Sequence, residues 1–240
     1  MTLCVVCFQW NNGFREYKPE HVNRVAAGYR RHISRPHRFV CITDETEGFS
    51  DDVEIMPLPE EAKYLTDIPS PHGPKYPSSY RRLWAFSKEA ECLGDTILMT
   101  DIDCIVTGSV DPLVDYMDEC GADFVGWKPP STWAGVNRVA GGSWLLRAGT
   151  HHFVWSGFSD AGIKAAEAAG QRGSDQAWIS YCLADHSALW PKGHGIYEAQ
   201  WMRTNGFRLL PEEARIVHFN GRKKPWHEDM QSIAWIKENW

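Results

Sequence analysis

Residues 96–106 read Thr-Ile-Leu-Met-Thr-Asp-Ile-Asp-Cys-Ile-Val: an apolar run, two carboxylates one residue apart, and a second apolar run. A continuous apolar run suits a strand of a parallel sheet that is covered on both faces. Side chains alternate between faces in an extended chain, so Asp101 and Asp103 are expected to point one way and Ile102 into the protein. Open α/β sheets hold their ligands outside the carboxyl ends of the strands. Two carboxylates held together repel one another unless a cation or a proton offsets them. Oxygen donors suit a hard divalent ion such as manganese or magnesium. So short a pattern also fits an ordinary strand-end turn, and at this point both readings stand.

The rest of the chain supplies the setting. Residues 3–8 (Leu-Cys-Val-Val-Cys-Phe) form a buried first strand, and Gln9-Trp10-Asn11-Asn12-Gly13 closes it with turn chemistry. Val22, Val25, Ala26, Tyr29 and Ile33 recur at helical spacing behind Pro19 and Glu20. Residues 38–43 are a second strand, which completes a βαβ unit, and residues 53–56 a third. From 57 to 77 the chain is proline-rich and aperiodic, a long loop read as a lid over a site. A helix over 78–92 carries Tyr80, Arg81, Arg82, Leu83, Trp84 and Phe86 to the acidic strand. Asp111 as N-cap with Pro112 at the first position starts the next helix. Further strands are expected at 122–127, 143–147 and 216–219. Further helices are expected at 150–169 (broken at Gly157), at 174–183 and from Glu228. The pattern is α/β: a nucleotide-type half over about 1–110 and a substrate half over about 111–240, sharing one continuous sheet in one domain.

Composition narrows the class. With 240 residues, 43% hydrophobic and 23% charged, the chain is long enough for a sizeable core. No apolar stretch approaches the roughly 18 residues of a membrane span. Residues 3–8 are too short for a signal-peptide core and no basic segment precedes them, so a cytoplasmic location is expected. Cys4 and Cys7 form a C-x-x-C, but no second pair answers it and on a strand they face opposite ways. The seven cysteines therefore read as reduced core residues rather than a zinc or redox set. The net charge of -6 argues against general nucleic-acid binding, though a local basic patch could survive it. Twelve tryptophans favour a ligand with flat faces, a sugar or a nucleotide. Nothing in the sequence sets an oligomeric state.

A second motif lies at 218–226, His-Phe-Asn-Gly-Arg-Lys-Lys-Pro-Trp. An imidazole at a strand end can ligate a metal, a glycine lets a ligand approach the backbone, and a lysine is a point charge for phosphate. A surface turn with solvated charges and a structural histidine would look the same. Together the two motifs resemble the glycogenin-type retaining glycosyltransferases, glycosyltransferase family 8. Four further segments follow that family's order: Tyr80-Arg81-Arg82-Leu83-Trp84, Val110-Asp111-Pro112-Leu113, Ala140-Gly141-Gly142-Ser143 and Gly173-Ser174-Asp175-Gln176. The resemblance implies a GT-A fold, with a Rossmann-like mixed sheet flanked by helices. It also implies a nucleoside-diphosphate sugar donor (a UDP-hexose by default), a carbohydrate or other hydroxyl acceptor, and manganese or magnesium as cofactor.

Carried over position by position, Asp101, Asp103 and His218 would ligate the metal. Lys224 and the Gly221 backbone would hold the diphosphate. Arg82 would reach the diphosphate or donor sugar, and Asp175 and Gln176 would sit by the anomeric carbon or donor hydroxyls. Asp101, Ile102, Asp103 and Gly142 fall in the donor-binding segments. Two departures stand out. The asparagine of the family's N-S-G turn is replaced by Ala140 or Gly141, and the base-stacking aromatic has no clear counterpart, for which Phe8 or Trp10 could serve. Trp127, Trp133, Trp144 and Trp201 are candidate acceptor platforms. The alternatives are a catalytically silent sugar-nucleotide-binding module, or a haloacid dehalogenase-type phosphohydrolase with Asp101 as nucleophile.

Overall fold

The computed structural model describes residues 2–10, 17–71, 73, 78–128, 135–200, 202 and 206–240. Its strands are β1 (Leu3–Gln9), β2 (His37–Thr43), β3 (Glu54–Met56), β4 (Thr96–Thr100), β5 (Cys104–Val106), β6 (Phe124–Gly126), β7 (Ser143–Arg147), β8 (Ala188–Leu189), β9 (Ile196–Glu198) and β10 (Ile216–His218). Its α-helices are α1 (Pro19–His32), α2 (Asp111–Cys120), α3 (Phe153–Ser156), α4 (Asp160–Ala168), α5 (Asp175–Cys182), α6 (Glu228–Gln231) and α7 (Ala234–Asn239).

Seven strands form the main sheet in the order β3-β2-β1-β4-β7-β6-β8. The first four are mutually parallel, while β7 runs antiparallel to both β4 and β6. All seven residues of β1 are buried, as a central parallel strand requires. Cys7, Val5 and Leu98 face one layer with Val22, Val25 and Tyr29 of α1. Cys4, Val6 and Met99 face the other layer with Leu83, Trp84, Phe86 and Trp144. Cys4 and Cys7 thus lie on opposite faces, as alternation demands. Tyr29 ties α1 to the end of β4 through a 2.9 Å hydrogen bond between its hydroxyl and Thr100 Oγ1. Among the described residues no helix is long and apolar enough to cross a membrane.

Several expectations need correction. The sheet is not continuous: β5, β10 and β9 form a second, three-stranded sheet with its own core of Ile105, Val217, Phe219, Trp235 and Ile236. The acidic stretch is therefore not one extended strand. The chain bends at residues 101–103 between β4 in the first sheet and β5 in the second, although Ile102 does point into the core. The helix expected over 78–92 is two 3-10 helices, Tyr80–Phe86 and Glu89–Leu93. Buried Tyr80, Leu83 and Phe86 recur every three residues, which suits three residues per turn. Part of the expected 57–77 loop is likewise a 3-10 helix, Glu60–Thr66, anchored by buried Ala62 and Leu65. The lid reading otherwise falls partly on residues 72 and 74–77, outside the described residues. Val110 rather than Asp111 occupies the N-cap of α2. The Asp111 carboxylate instead accepts from Ser34 N at 3.0 Å and Arg35 Nε at 3.1 Å, pinning the end of α1.

Candidate active site

The bend at 101–103 is clasped from both sides. Asp101 N donates to Gly142 O at 3.0 Å, at the start of β7, and Phe219 N donates to Asp103 O at 2.7 Å, just beyond β10. Residues far apart in sequence are thereby brought to one place. Asp101 Oδ1 pairs with Arg82 Nη2, and its Oδ2 lies 3.7 Å from His218 Nδ1. Arg82 Nη1 donates to Gly141 O at 3.0 Å and lies 3.6 Å from Asp175 Oδ2. Asp103 Oδ2 pairs with Lys224 Nζ and accepts from the Tyr17 hydroxyl at 3.2 Å. Lys224 Nζ also donates to Phe219 O at 2.6 Å. Three carboxylates thus face two permanent cations and an imidazole, most of them buried.

Electrostatics assigns the protonation states. Burial opposes the charge on Asp101, but Arg82, His218 and Lys224 outweigh it and hold the carboxyl below its ordinary pKa. Burial raises the Asp175 pKa in spite of Arg82. Burial lowers the His218 pKa despite the attraction of Asp101, Asp103 and Glu198, so the imidazole is neutral at pH 7 and able to ligate. The Arg82 pKa is raised: Asp101 and Asp175 overcome its burial.

The donor chemistry suits a hard divalent ion at Asp101 and His218. His218 Nδ1 is a buried nitrogen without a hydrogen-bond partner, and its other ring nitrogen is held by Ser143 Oγ at 2.9 Å. Ligands each about 2.1 Å from one ion lie about 3–4 Å apart, which matches the Asp101–His218 separation. The third expected ligand is not aligned with them. Asp103 has Lys224 as its counter-ion, and among the described residues no three His, Cys, Asp or Glu side chains are grouped to hold a metal.

The remaining expected residues divide. Gly142 is at the centre: a Cβ there would overlap Asp101 Oδ2 and sit 3.1 Å from His218 Cε1. Gln176 adjoins the cluster, its Oε1 accepting from Gly141 N at 3.3 Å. Ile102 packs in the core, so only its backbone can face a donor. Gly221 has open space around it, with no atom within 4 Å of where a Cβ would be. Phe8 and Trp10 line a different cavity of about 300 Å³, with Gln9, Thr43, Asp44, Lys63 and Arg81. Arg81 lies over the Trp10 ring, 4.7 Å from its centroid. Consecutive arginines on one 3-10 helix therefore serve the two places, Arg81 at the aromatic cavity and Arg82 at the acids.

Of the tryptophans, Trp144 is fully buried against Phe86 and Phe124, which leaves no face for an acceptor sugar. Trp127 stacks on His218 instead. Trp133 and Trp201 lie outside the described residues. Four site residues were given no place beside the acids by the sequence. Tyr17 reaches Asp103 across 86 positions with no local signal. Ser143 could have been found as the neighbour of Gly142, and Trp127 only through tertiary packing. Buried Glu198, paired in register with His218, accepts from Asn220 Nδ2 at 3.2 Å and from the Gln200 amide. A short alternating Ile-Tyr-Glu was its one trace.

No family model matches the chain, and no curated protein matches it in sequence. Solved structures match its fold. The galactosyltransferase LgtC, in complex with donor and acceptor sugar analogues, superposes with a TM-score of 0.61 at 13% identity, over 99% of this chain and 94% of that one. Mouse xyloside xylosyltransferase 1 gives 0.56 at 13% identity, over 92% and 98%. The glycosyltransferase GlyE of Streptococcus pneumoniae gives 0.58 at 16% identity, over 94% of this chain and 56% of that one. At such identities the likeness is one of fold. The chain has the mixed α/β architecture of GT-A glycosyltransferases that the sequence resemblance implied.

Proposed function

We propose that this chain is a metal-dependent glycosyltransferase. It moves a hexose from a nucleoside-diphosphate sugar, by preference a UDP-sugar, to a carbohydrate or other acceptor hydroxyl, with retention at the anomeric carbon. One observation carries the reading: Asp101, Asp103, His218, Lys224 and Arg82 converge where the two sheets meet, on a fold shared with sugar transferases. Manganese or magnesium, held by Asp101 and His218 and completed by Asp103, would neutralise the diphosphate as a Lewis acid.

The protein's own groups do the rest. Lys224 and Arg82 are placed for the negative charge that builds on the departing phosphate, where stabilisation counts most in the transition state. Exchange of Lys224's partner from Asp103 to a phosphate oxygen would leave Asp103 free to ligate the cation. The aromatic cavity at Phe8 and Trp10 is sized for the nucleoside, its rings offering an apolar face to the base. Asp175 and Gln176, beside Arg82 and Gly141, border the donor sugar. Gln176 cannot take a proton, and in the family that the sequence resembles the acceptor's proton is thought to pass to the leaving phosphate.

The pairing of Asp103 with Lys224 favours a second reading, a binding module that holds the nucleotide without turnover. The phosphohydrolase reading needs Asp101 free as a nucleophile, whereas here it is bound to Arg82. A panel of nucleotide sugars incubated with Mn²⁺ and scored for nucleoside-diphosphate release separates these. Release from one donor, lost in Asp103→Ala, is expected. Tight nucleotide binding with no release from any donor would favour the silent module.

A further inference from the structure

The cavity at the ends of β1 and β2 keeps few of its polar groups free. Gln9 is buried, its Oε1 accepting from the Thr43 hydroxyl and its Nε2 donating to Tyr17 O at 2.8 Å. Thr43 Oγ1 also accepts from Glu45 N at 3.0 Å. The charged side chains of the lining differ. Lys63 pairs with Glu60, whereas the side chains of Asp44 and Arg81 make no hydrogen bond among the described residues. The half-buried Arg81 guanidinium lies over the Trp10 ring, 4.7 Å from its centroid. That contact holds the plane of the group and spends none of its N–H donors. Burial opposes the Arg81 charge, and Asp44 and Asp67 partly offset this.

In the order β3-β2-β1-β4, this cavity and the acid cluster lie at the same edge of the sheet. They are one to two strand spacings apart, roughly 5–10 Å. A base held in the cavity can therefore belong to a nucleotide whose phosphates reach Lys224 and Arg82. An unpartnered donor and an unpartnered acceptor in one cavity complement only some bases. Uracil presents a carbonyl beside an imino N–H, and so does guanine. Cytosine and adenine present the reverse, an amino group beside a ring nitrogen that accepts.

We propose that Arg81 and Asp44 are specificity-determining residues: Arg81 donates to the base carbonyl and Asp44 accepts from the adjoining imino N–H, so that uracil or guanine is taken over cytosine and adenine. This rests on the reading of the cavity as the nucleoside end of a transferase site. Against cytosine the same pair would set N–H against an amino group and carboxylate against a lone pair. A well-placed pair of this kind discriminates by about 10–100-fold.

The test measures the dissociation constants of UDP, GDP, CDP and ADP by calorimetric titration in one buffer with Mn²⁺. The native protein is compared with Arg81→Met and Asp44→Asn, with thermal unfolding as the control for folding. Methionine keeps an unbranched stem against Trp10 without a donor, and asparagine keeps the shape of Asp44 while adding one. All four ligands share the diphosphate, so lost phosphate attraction or lost packing weakens them alike. Lost base reading instead narrows the gap between them. The native protein should bind UDP or GDP about 10–100-fold more tightly than CDP and ADP, and both variants should lose most of that preference. The tighter of UDP and GDP identifies which base the cavity fits. Equal binding of all four by the native protein, or an equal loss for all four in Arg81→Met with the preference intact, would overturn the assignment. Should Arg81→Met fail to fold, an unchanged preference in Asp44→Asn overturns it alone. A native protein that binds none of the four sinks the transferase reading and this assignment together, a result distinct from binding without preference.

Discussion

At Gly142 the site leaves no room for a side chain: an added Cβ would overlap Asp101 Oδ2 and press on His218. Gly142→Ala should therefore push Asp101 off Arg82 and turn His218, at a cost of roughly 1–3 kcal/mol as overpacking. Thermal unfolding should show a lower midpoint, and titration should show loss of Mn²⁺-dependent nucleotide binding. A second consequence concerns pH. Unfolded histidine takes up a proton near 6.5, but burial holds folded His218 below that. The unfolded state then binds more protons as pH falls through this window, so stability drops below about pH 6.5. His32 and His151, also lowered by burial, act in the same direction. His218→Gln should flatten the acid side of the stability profile, as measured by denaturant unfolding between pH 7 and 5. At this scale the sequence disclosed the residues whose chemistry stands out in a motif, Asp101, Asp103, His218 and Lys224. The contacts of Tyr17, Ser143 and Trp127 stayed hidden because each is an ordinary residue until the fold places it against one of those four.

The last strand and the loop after it act as one element. β10 delivers His218, the next turns deliver Lys224, and Trp226 anchors the loop by stacking on His21 of α1, with centroids 3.9 Å apart and planes at 10°. Tyr17 meets the same indole edge-on at 5.9 Å. Trp226→Ala should cost about 2 kcal/mol, since the ring is only partly buried. For a chain of this size that is a fall of about 4–8 °C in the unfolding midpoint. Loosening Lys224 should also weaken UDP binding in a calorimetric titration. Elements with a long local period, β1, α1 and β2, were legible because seven to fourteen residues repeat one pattern. The strands β8 and β9, of two and three residues, were not. Such short strands exist only through their neighbours, and β9 is held by pairing with β10.

Over the whole molecule, the site exists because the chain changes sheets at residues 101–103. The parallel half ends there with β4 at its edge, and β5 opens the second sheet, where β10 lies antiparallel to it. That pairing sets Cys104 opposite His218 and so brings an imidazole from late in the chain to acids near its middle. The α/β class was readable from alternating strands and helices. The division into two sheets was not, because Cys104-Ile105-Val106 continues the apolar run of β4 and nothing local marks the change of partner. The most direct measurement is thermal unfolding of the native protein and of Asp101→Ala, Asp103→Ala and His218→Ala, each with UDP, with Mn²⁺ and with both. UDP with Mn²⁺ at about 100 times the dissociation constant should add about 2.7 kcal/mol to the native protein. That is a rise of about 5–10 °C, absent from all three variants. A native protein that gains nothing from the pair, or variants that gain as much as the native chain, would contradict a shared cation and diphosphate site.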